Sequence, residues 1–403
     1  MIGDADAASE PRRGPTDDII DAARETGDVV ALAELLVQRA EAVPIFHGNA
    51  EEVLRWLSDP VAFSADARVI PTALEARRSA RRAPALVRAG QFDAAVIAAR
   101  LALVLATEAE DARLVRHCRV TLALVLARAG ADVQEAVQLA RVADIEAASL
   151  TDRVEARALK AAARTAQGDL ALNAELWPET RGRLEEALEL LGTDADARDD
   201  ERWHVLTALS GVHQKEGNLV RALNRLRVAQ TLAERHGADR ELLENRFTTA
   251  NLLTTFNRYD EALQQLDLAA DVAARNAGLV LFDVPLAVLK TTVLTCLGRL
   301  DEAKPIGEWV LETTLERGDT MGHVQGAAVL SAVHQARGDA REGYRVLSFA
   351  AGRLEVGGEP DAGQLVRRMV GALRDRLGHA EFDAMAEAMY QEELLKRRLR
   401  GER

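Results

Sequence analysis

From Asp17 onward, apolar residues recur at i, i+3, i+4 and i+7 almost without interruption, the period of one face of an α-helix. No stretch alternates apolar and polar residues between hairpin turn signals, so the spacing predicts an all-α chain. A longer period lies over the short one. A small apolar residue returns at Ala102, Ala143, Ala187, Ala229, Ala269, Val310 and Ala350, in steps of 41, 44, 42, 40, 41 and 40 residues. Such regularity belongs to stacked two-helix units, each burying its apolar face only against its neighbours. The pattern predicts an α-solenoid of about seven helix-turn-helix repeats with helical N- and C-terminal caps.

Each unit has a turn signature: Gly90-Gln91-Phe92-Asp93-Ala94-Ala95, Gly217-Asn218-Leu219-Val220-Arg221-Ala222, Asn257-Arg258-Tyr259-Asp260-Glu261-Ala262, Gly298-Arg299-Leu300-Asp301-Glu302-Ala303 and Gly338-Asp339-Ala340-Arg341-Glu342-Gly343. Gly or Asn tolerates the left-handed backbone that ends the first helix. The apolar residue two places later plugs the turn, and the small residue five places later lets the two helices approach. The unit at Gly130 to Ala136 carries one extra turn residue. In the third unit the expected turn is Gly168. Ala187 then follows after 19 residues rather than the usual 12, which predicts an insertion in Asp169 to Glu179. That stretch holds Trp177-Pro178, and the tryptophan either forms a contact loop or tucks back onto the array.

The turn followed by small, large and small apolar residues, as in Ala222, Leu226 and Ala229 or Ala262, Leu266 and Ala269, resembles the tetratricopeptide repeat. The period is nearer forty than the family's thirty-four, as in the long-helix arrays of bacterial signalling regulators and kinesin light chains. HEAT and armadillo arrays share the longer period; the turn favours the tetratricopeptide type. The resemblance implies a concave groove lined by the first helix of each unit, through residues thirteen, ten, six, three and two places before the turn residue. Those offsets give His204, Thr207, Gly211, Gln214 and Lys215 before Gly217, and Glu244, Phe247, Asn251, Thr254 and Thr255 before Asn257. Thr292 takes such an offset before Gly298, and Arg77 and Arg88 before Gly90. The candidate partner-binding residues are therefore His204, Thr207, Gln214, Lys215, Glu244, Phe247, Asn251, Thr254, Thr255, Thr292, Arg77 and Arg88. Asn251 matches in type the asparagine with which peptide-binding members grip a ligand's main chain. The family's two-carboxylate clamp is not reproduced, because only Lys215 and Asn251 would qualify.

The expected organisation is a disordered N-terminus over residues 1–16, a helical cap over 17–71, the array over 72–357 and a second helical cap over 358–403. A short polar link, Gly192 to Asp200, follows the third unit. The formal charge of −13 argues against nucleic acid and anionic membranes as partners. With no secretory leader and no run of eighteen apolar residues, the chain is expected to be cytoplasmic. Only Cys118 and Cys296 occur, and both are expected to be buried thiols. His213 and His334 stand four residues before their turn glycines, a packing position. Arg77, Arg78, Arg81 and Arg82 share a helix face, expected to be solvated and paired with neighbouring acids, with a grip on an acidic or phosphorylated segment as the alternative. The final Lys396-Arg397-Arg398-Leu399-Arg400 run suits a helix C-terminus.

No phosphate loop, nucleophile elbow, zinc motif or calcium loop occurs, so no catalytic residue, metal or cofactor is assigned. The resulting expectation is a non-enzymatic scaffold or adaptor that binds a protein or peptide segment in the concave groove. The alternative is a peptide-sensing receptor that controls an output partner through its N-terminal helices. Neither the partner nor the oligomeric state follows from the sequence.

Overall fold

The computed structural model describes residues 14–63, 70–192 and 198–399. Residues 1–13, the middle of the polar link and the basic side chains at 397–400 lie outside the described residues. The chain divides into two compact units, residues 1–245 and 246–403.

Unit 1 opens with α1 (Asp17–Thr26), α2 (Val29–Ala42) and α3 (His47–Trp56). Four helix pairs follow: α4 (Thr72–Arg88) with α5 (Phe92–Glu108), α6 (Ala112–Ala129) with α7 (Val133–Ser149), α8 (Arg153–Asn173) with α9 (Trp177–Leu191), and α10 (Asp199–Lys215) with α11 (Leu219–Arg235). Each helix packs on the next, and the first helices also pack on one another, α4 on α6 and α6 on α8. Leu32, Leu36, Val37, Ile45, Val53 and Leu57 form one cluster with Leu74 and Ala85, so the three N-terminal helices cover the outer face of α4.

The boundary between the units falls within α12 (Asp239–Thr255). Unit 2 continues with α13 (Tyr259–Arg275), a short 3-10 helix (Ala277–Phe282), α14 (Asp283–Cys296) with α15 (Leu300–Glu316), and α16 (Thr320–Ala336) with α17 (Ala340–Val356). Two further helices, α18 (Pro360–Leu377) and α19 (His379–Leu399), complete it. Val366 of α18 is buried with Val324, Ala327, Leu347 and Leu354, and Met369 and Val370 pack beside it.

All seven periodic residues, Ala102, Ala143, Ala187, Ala229, Ala269, Val310 and Ala350, are wholly buried. A small side chain at that point lets neighbouring helices approach closely, which is why the sequence keeps it small. Aspartates begin many of the helices: Asp111, Asp152 and Asp319 accept amides of the first turns of α6, α8 and α16.

The third unit differs from expectation. Its first helix runs past Gly168 to Asn173, and the left-handed turn residue is Glu175, with φ +57°. Ala187 then follows after 12 residues, as elsewhere, so there is no insertion in the turn and the first helix is lengthened instead. Trp177 takes the plug position as the first residue of α9, and the Lys215 ammonium stands 5.7 Å from its ring centre. Gly168 is a packing glycine: a Cβ there would lie 2.3 Å from Leu184 Cδ2.

Two further expectations change. Cys118 is buried, and its thiol is pushed up to about 12, chiefly by burial, but Cys296 is exposed. It stands two places before Gly298, one of the offsets expected to line the groove rather than the core. The arginine face of α4 is not uniformly solvated, because α2 and α3 lie over it. Arg77 pairs with Glu34 and Glu41, and Arg78 with Glu75, whereas Arg81 turns inward to the carbonyls of Ala40 and Val43. His213 and His334 are buried.

Candidate functional site

Within unit 1 the first helices enclose a cavity of about 460 Å³. Its apolar floor comes from Pro84 and Val87 of α4, Val120, Leu124 and Val125 of α6, and Ala158, Leu159 and Ala162 of α8, with Leu191 at the end of α9. Its polar wall carries Arg81, Arg113, Arg116, His117, Arg128, Glu155, Arg198, Asp200 and Glu201. An apolar hollow with convergent polar groups is the usual form of a ligand site.

One ion network joins three of these helices. Arg128 of α6 grips Glu201 of α10 with both terminal nitrogens, at 3.1 and 2.7 Å, and its Nε donates to Asp169 of α8 at 3.2 Å. His204 Nε2 lies 2.8 Å from the other Asp169 oxygen. Burial alone would raise both acids, but Arg128 and His204 outweigh it: Glu201 is held down to about 2, and Asp169 also lies below its ordinary value. Asp200 is raised, chiefly by burial and then by the adjacent Glu201. His117 is exposed on the cavity wall, yet burial by the surrounding protein lowers its pKa; Glu41 opposes this, and Arg81, Arg198 and Arg113 add to it. Titratable groups shifted in both directions around one hollow mark a site candidate.

The segment Val43 to His47, between α2 and α3, runs along this network as an extended strap. Arg81 holds the Val43 carbonyl, the Ile45 amide donates to Asp200 Oδ2 at 3.0 Å, and the His47 amide donates to Glu241 Oε1 at 2.5 Å. The His47 ring reaches the same oxygen through Nδ1 at 2.7 Å, and Phe46 tilts against His236 with ring centres 5.4 Å apart. Ile45 and Phe46 are buried. Arg81 and Asp200 line the cavity and hold the strap at once.

Of the residues expected in the groove, His204 belongs to the network, and Arg88 donates to the Asp200 carbonyl at 3.2 Å while lying 5.5 Å from the Trp203 ring centre. Thr207 Oγ1 lies 3.4 Å from Asn245 Oδ1, Glu244 accepts from Arg240 Nε at 3.1 Å, Gln214 is half-buried, and Lys215 is exposed beside Trp177. None of these six, nor Arg77 with its acidic partners, lines the cavity. The others lie in unit 2. Asn251 is exposed and Phe247 half-buried, while the hydroxyls of Thr254, Thr255 and Thr292 donate to carbonyls four residues back on their own helices.

The same offsets, counted from the turn residues of the first three helix pairs, reach part of the cavity. Gly130 gives His117, Val120, Leu124 and Arg128; Gly90 gives Ala80, Pro84 and Val87; Glu175 gives Ala162, Thr165 and Asp169. The first nine of these line the cavity and Asp169 binds Arg128, whereas the remaining offsets, Arg77, Arg88, Ala127, Leu172 and Asn173, fall outside it. Arg113, Arg198, Asp200 and Glu201 have no such signal, since they lie at helix starts.

Among the described residues no three His, Cys, Asp or Glu side chains stand together as a metal site, and no helix is long and apolar enough to cross a membrane. No protein-family model and no curated protein matches the chain. Among solved structures, it is similar to a signal-transduction ATPase with numerous domains and a tetratricopeptide repeat sensor from Pyrococcus horikoshii, with a TM-score of 0.57 and 14% identity over 87% of this chain. The match spans only 55% of that protein's length. The apo quorum sensor NprR of B. thuringiensis gives a TM-score of 0.56 and 11% identity, over 83% of this chain and 90% of its own. These similarities, with the seven helix pairs among the described residues and their turns, make the fold of this chain tetratricopeptide-repeat-like.

Proposed function

We propose that this chain is a non-enzymatic, cytoplasmic binding module that takes an extended peptide or protein segment into the unit 1 cavity. The observation that carries the reading is the strap. Arg81, Asp200 and Glu241 already hold main-chain groups of an extended segment, and an open, apolar-floored hollow lies beside it. A regulatory version is favoured by the double role of Arg81 and Asp200. A ligand that draws on either group also draws on the segment tying α2 to α3, which links occupancy of the cavity to the N-terminal helices. The names of the two structural neighbours, a repeat sensor and a quorum sensor, point the same way.

Selection of a displayed random peptide library on the folded protein tests this. Enriched peptides are then titrated calorimetrically against wild type, Ala158→Phe, which fills the cavity, and Asn251→Ala in unit 2. Affinity should drop at least about tenfold with Ala158→Phe, more than 1.4 kcal/mol, while the circular-dichroism melt stays near wild type. Equal affinity for wild type and Ala158→Phe overturns the cavity as the site, and a loss confined to Asn251→Ala moves binding to the first helices of unit 2.

A further inference from the structure

The cavity has an imbalance of charge that the fold does not use. Five arginines line it (Arg81, Arg113, Arg116, Arg128 and Arg198) against three carboxylates, Glu155, Asp200 and Glu201, in a chain whose formal charge is −13. The carboxylates are all engaged: Glu155 by Arg116 at 2.5 and 2.9 Å, Glu201 by Arg128, and Asp200 by the Ile45 amide. Arg81 donates to the Ala40 carbonyl through Nε and to the Val43 carbonyl through Nη2.

Three groups remain. Arg113 is exposed and comes no nearer to Glu155 than 3.6 Å. Among the described residues neither the Arg198 guanidinium nor the His117 ring has a hydrogen-bond partner. All three face the same hollow, beside the apolar floor of Val120, Leu124 and Leu159. Burial first, and then the fields of Arg81, Arg198 and Arg113, lower the His117 pKa against Glu41, which favours the uncharged ring, and that ring carries one N–H donor. Two planar forks and one further donor suit the two oxygens of a carboxylate in shape, and the surplus of arginines leaves positive charge to receive it.

Resting on the reading of the cavity as a peptide site, we propose that Arg113, His117 and Arg198 form a carboxylate subsite, so that the ligand is an apolar peptide segment carrying one carboxylate. That group is either the peptide's C-terminus or one acidic side chain.

Three pools of random heptapeptides built from apolar and neutral residues separate the possibilities: one with a free C-terminus, one amidated, and one amidated with a single internal glutamate. Each pool is equilibrated with the protein by dialysis and the retained peptides are quantified by mass spectrometry. The proteins are wild type, the double variant Arg113→Gln/Arg198→Gln, and Arg100→Gln as a surface control on α5, with melting followed for each. Wild type and the control should retain one carboxylate-bearing pool about ten- to a hundredfold over the neutral amidated pool, and the double variant should bring that preference to near parity. Retention of the free-terminus pool assigns the carboxylate to the C-terminus, and retention of the glutamate pool assigns it to a side chain. Neutral peptides retained as well as acidic ones, unchanged by the double variant, overturn the subsite and leave the peptide cavity standing. No retention of any pool removes both.

Discussion

Glu175 occupies the backbone position that glycine fills at Gly90, Gly217, Gly298 and Gly338, with φ +57°. For an L-residue with a Cβ this conformation costs roughly 1–2 kcal/mol, and glycine escapes that cost while giving back part of it as unfolded-state entropy. Glu175→Gly should therefore raise stability by about 0.5–1 kcal/mol, read as a higher urea midpoint with unchanged slope. A midpoint that stays put or falls would remove Glu175 from the left-handed position. The same residue explains why the third turn was illegible. A glycine in the right neighbourhood, Gly168, signals a turn as strongly as Gly217 does, but it serves a different need, the close approach of Leu184. A glutamate in a left-handed turn leaves no compositional mark. Counted from that misplaced turn, the groove offsets still reach Ala162 and Thr165, because seven residues is close to two helical turns, but they miss Asp169.

Between helices, the fold was legible wherever the cause was periodic, as with the seven small buried residues, the paired helices and the buried His213 and His334. What periodicity cannot show is contact between distant elements. The strap meets Asp200 and Glu241 across 155 and 194 residues of sequence, and the Arg128–Glu201 pair spans 73. That pair joins α6 to α10 and has a pH signature. Glu201 is held at about 2, from an ordinary 4.5, so its stabilisation is complete above about pH 4.5 and is lost as pH falls towards 2. A shift of this size corresponds to roughly 3 kcal/mol at the upper end. Asp169, also lowered, acts in the same direction, while the raised Asp200 opposes, since its protonation at low pH relieves a buried charge. Glu201→Gln should therefore be less stable than wild type at pH 7, by about 2–3 kcal/mol, with the gap closing towards pH 2. Urea unfolding of both proteins at a series of pH values measures this, and a gap independent of pH would mean that the Glu201 charge does not contribute to stability through Arg128.

At the scale of the whole chain, each described hydrophobic cluster lies within one of the two compact units. The clusters around Leu36, Leu126, Ala102, Leu209, Ala163 and Ala140 belong to unit 1, and the cluster around Leu347 and Val366 to unit 2. In a stack of helix pairs, stability is a sum of local and nearest-neighbour terms, so distant parts of the array need not melt together. The calorimetric enthalpy of unfolding should accordingly exceed the van't Hoff enthalpy, and substitutions should act on their own unit. Ala229→Glu puts a bulky charge at a wholly buried point between helices of unit 1, and Ala350→Glu does the same in unit 2. Each should cost a few kcal/mol, combining overpacking with the desolvation of an unpaired carboxylate. Hydrogen exchange read by peptide mass spectrometry then separates the two regions. Ala229→Glu should speed exchange across α4 to α11 while α14 to α18 keep most of their protection, and Ala350→Glu should do the reverse. If either substitution deprotects both regions equally, the chain unfolds as one cooperative body and the two compact units have no separate thermodynamic meaning.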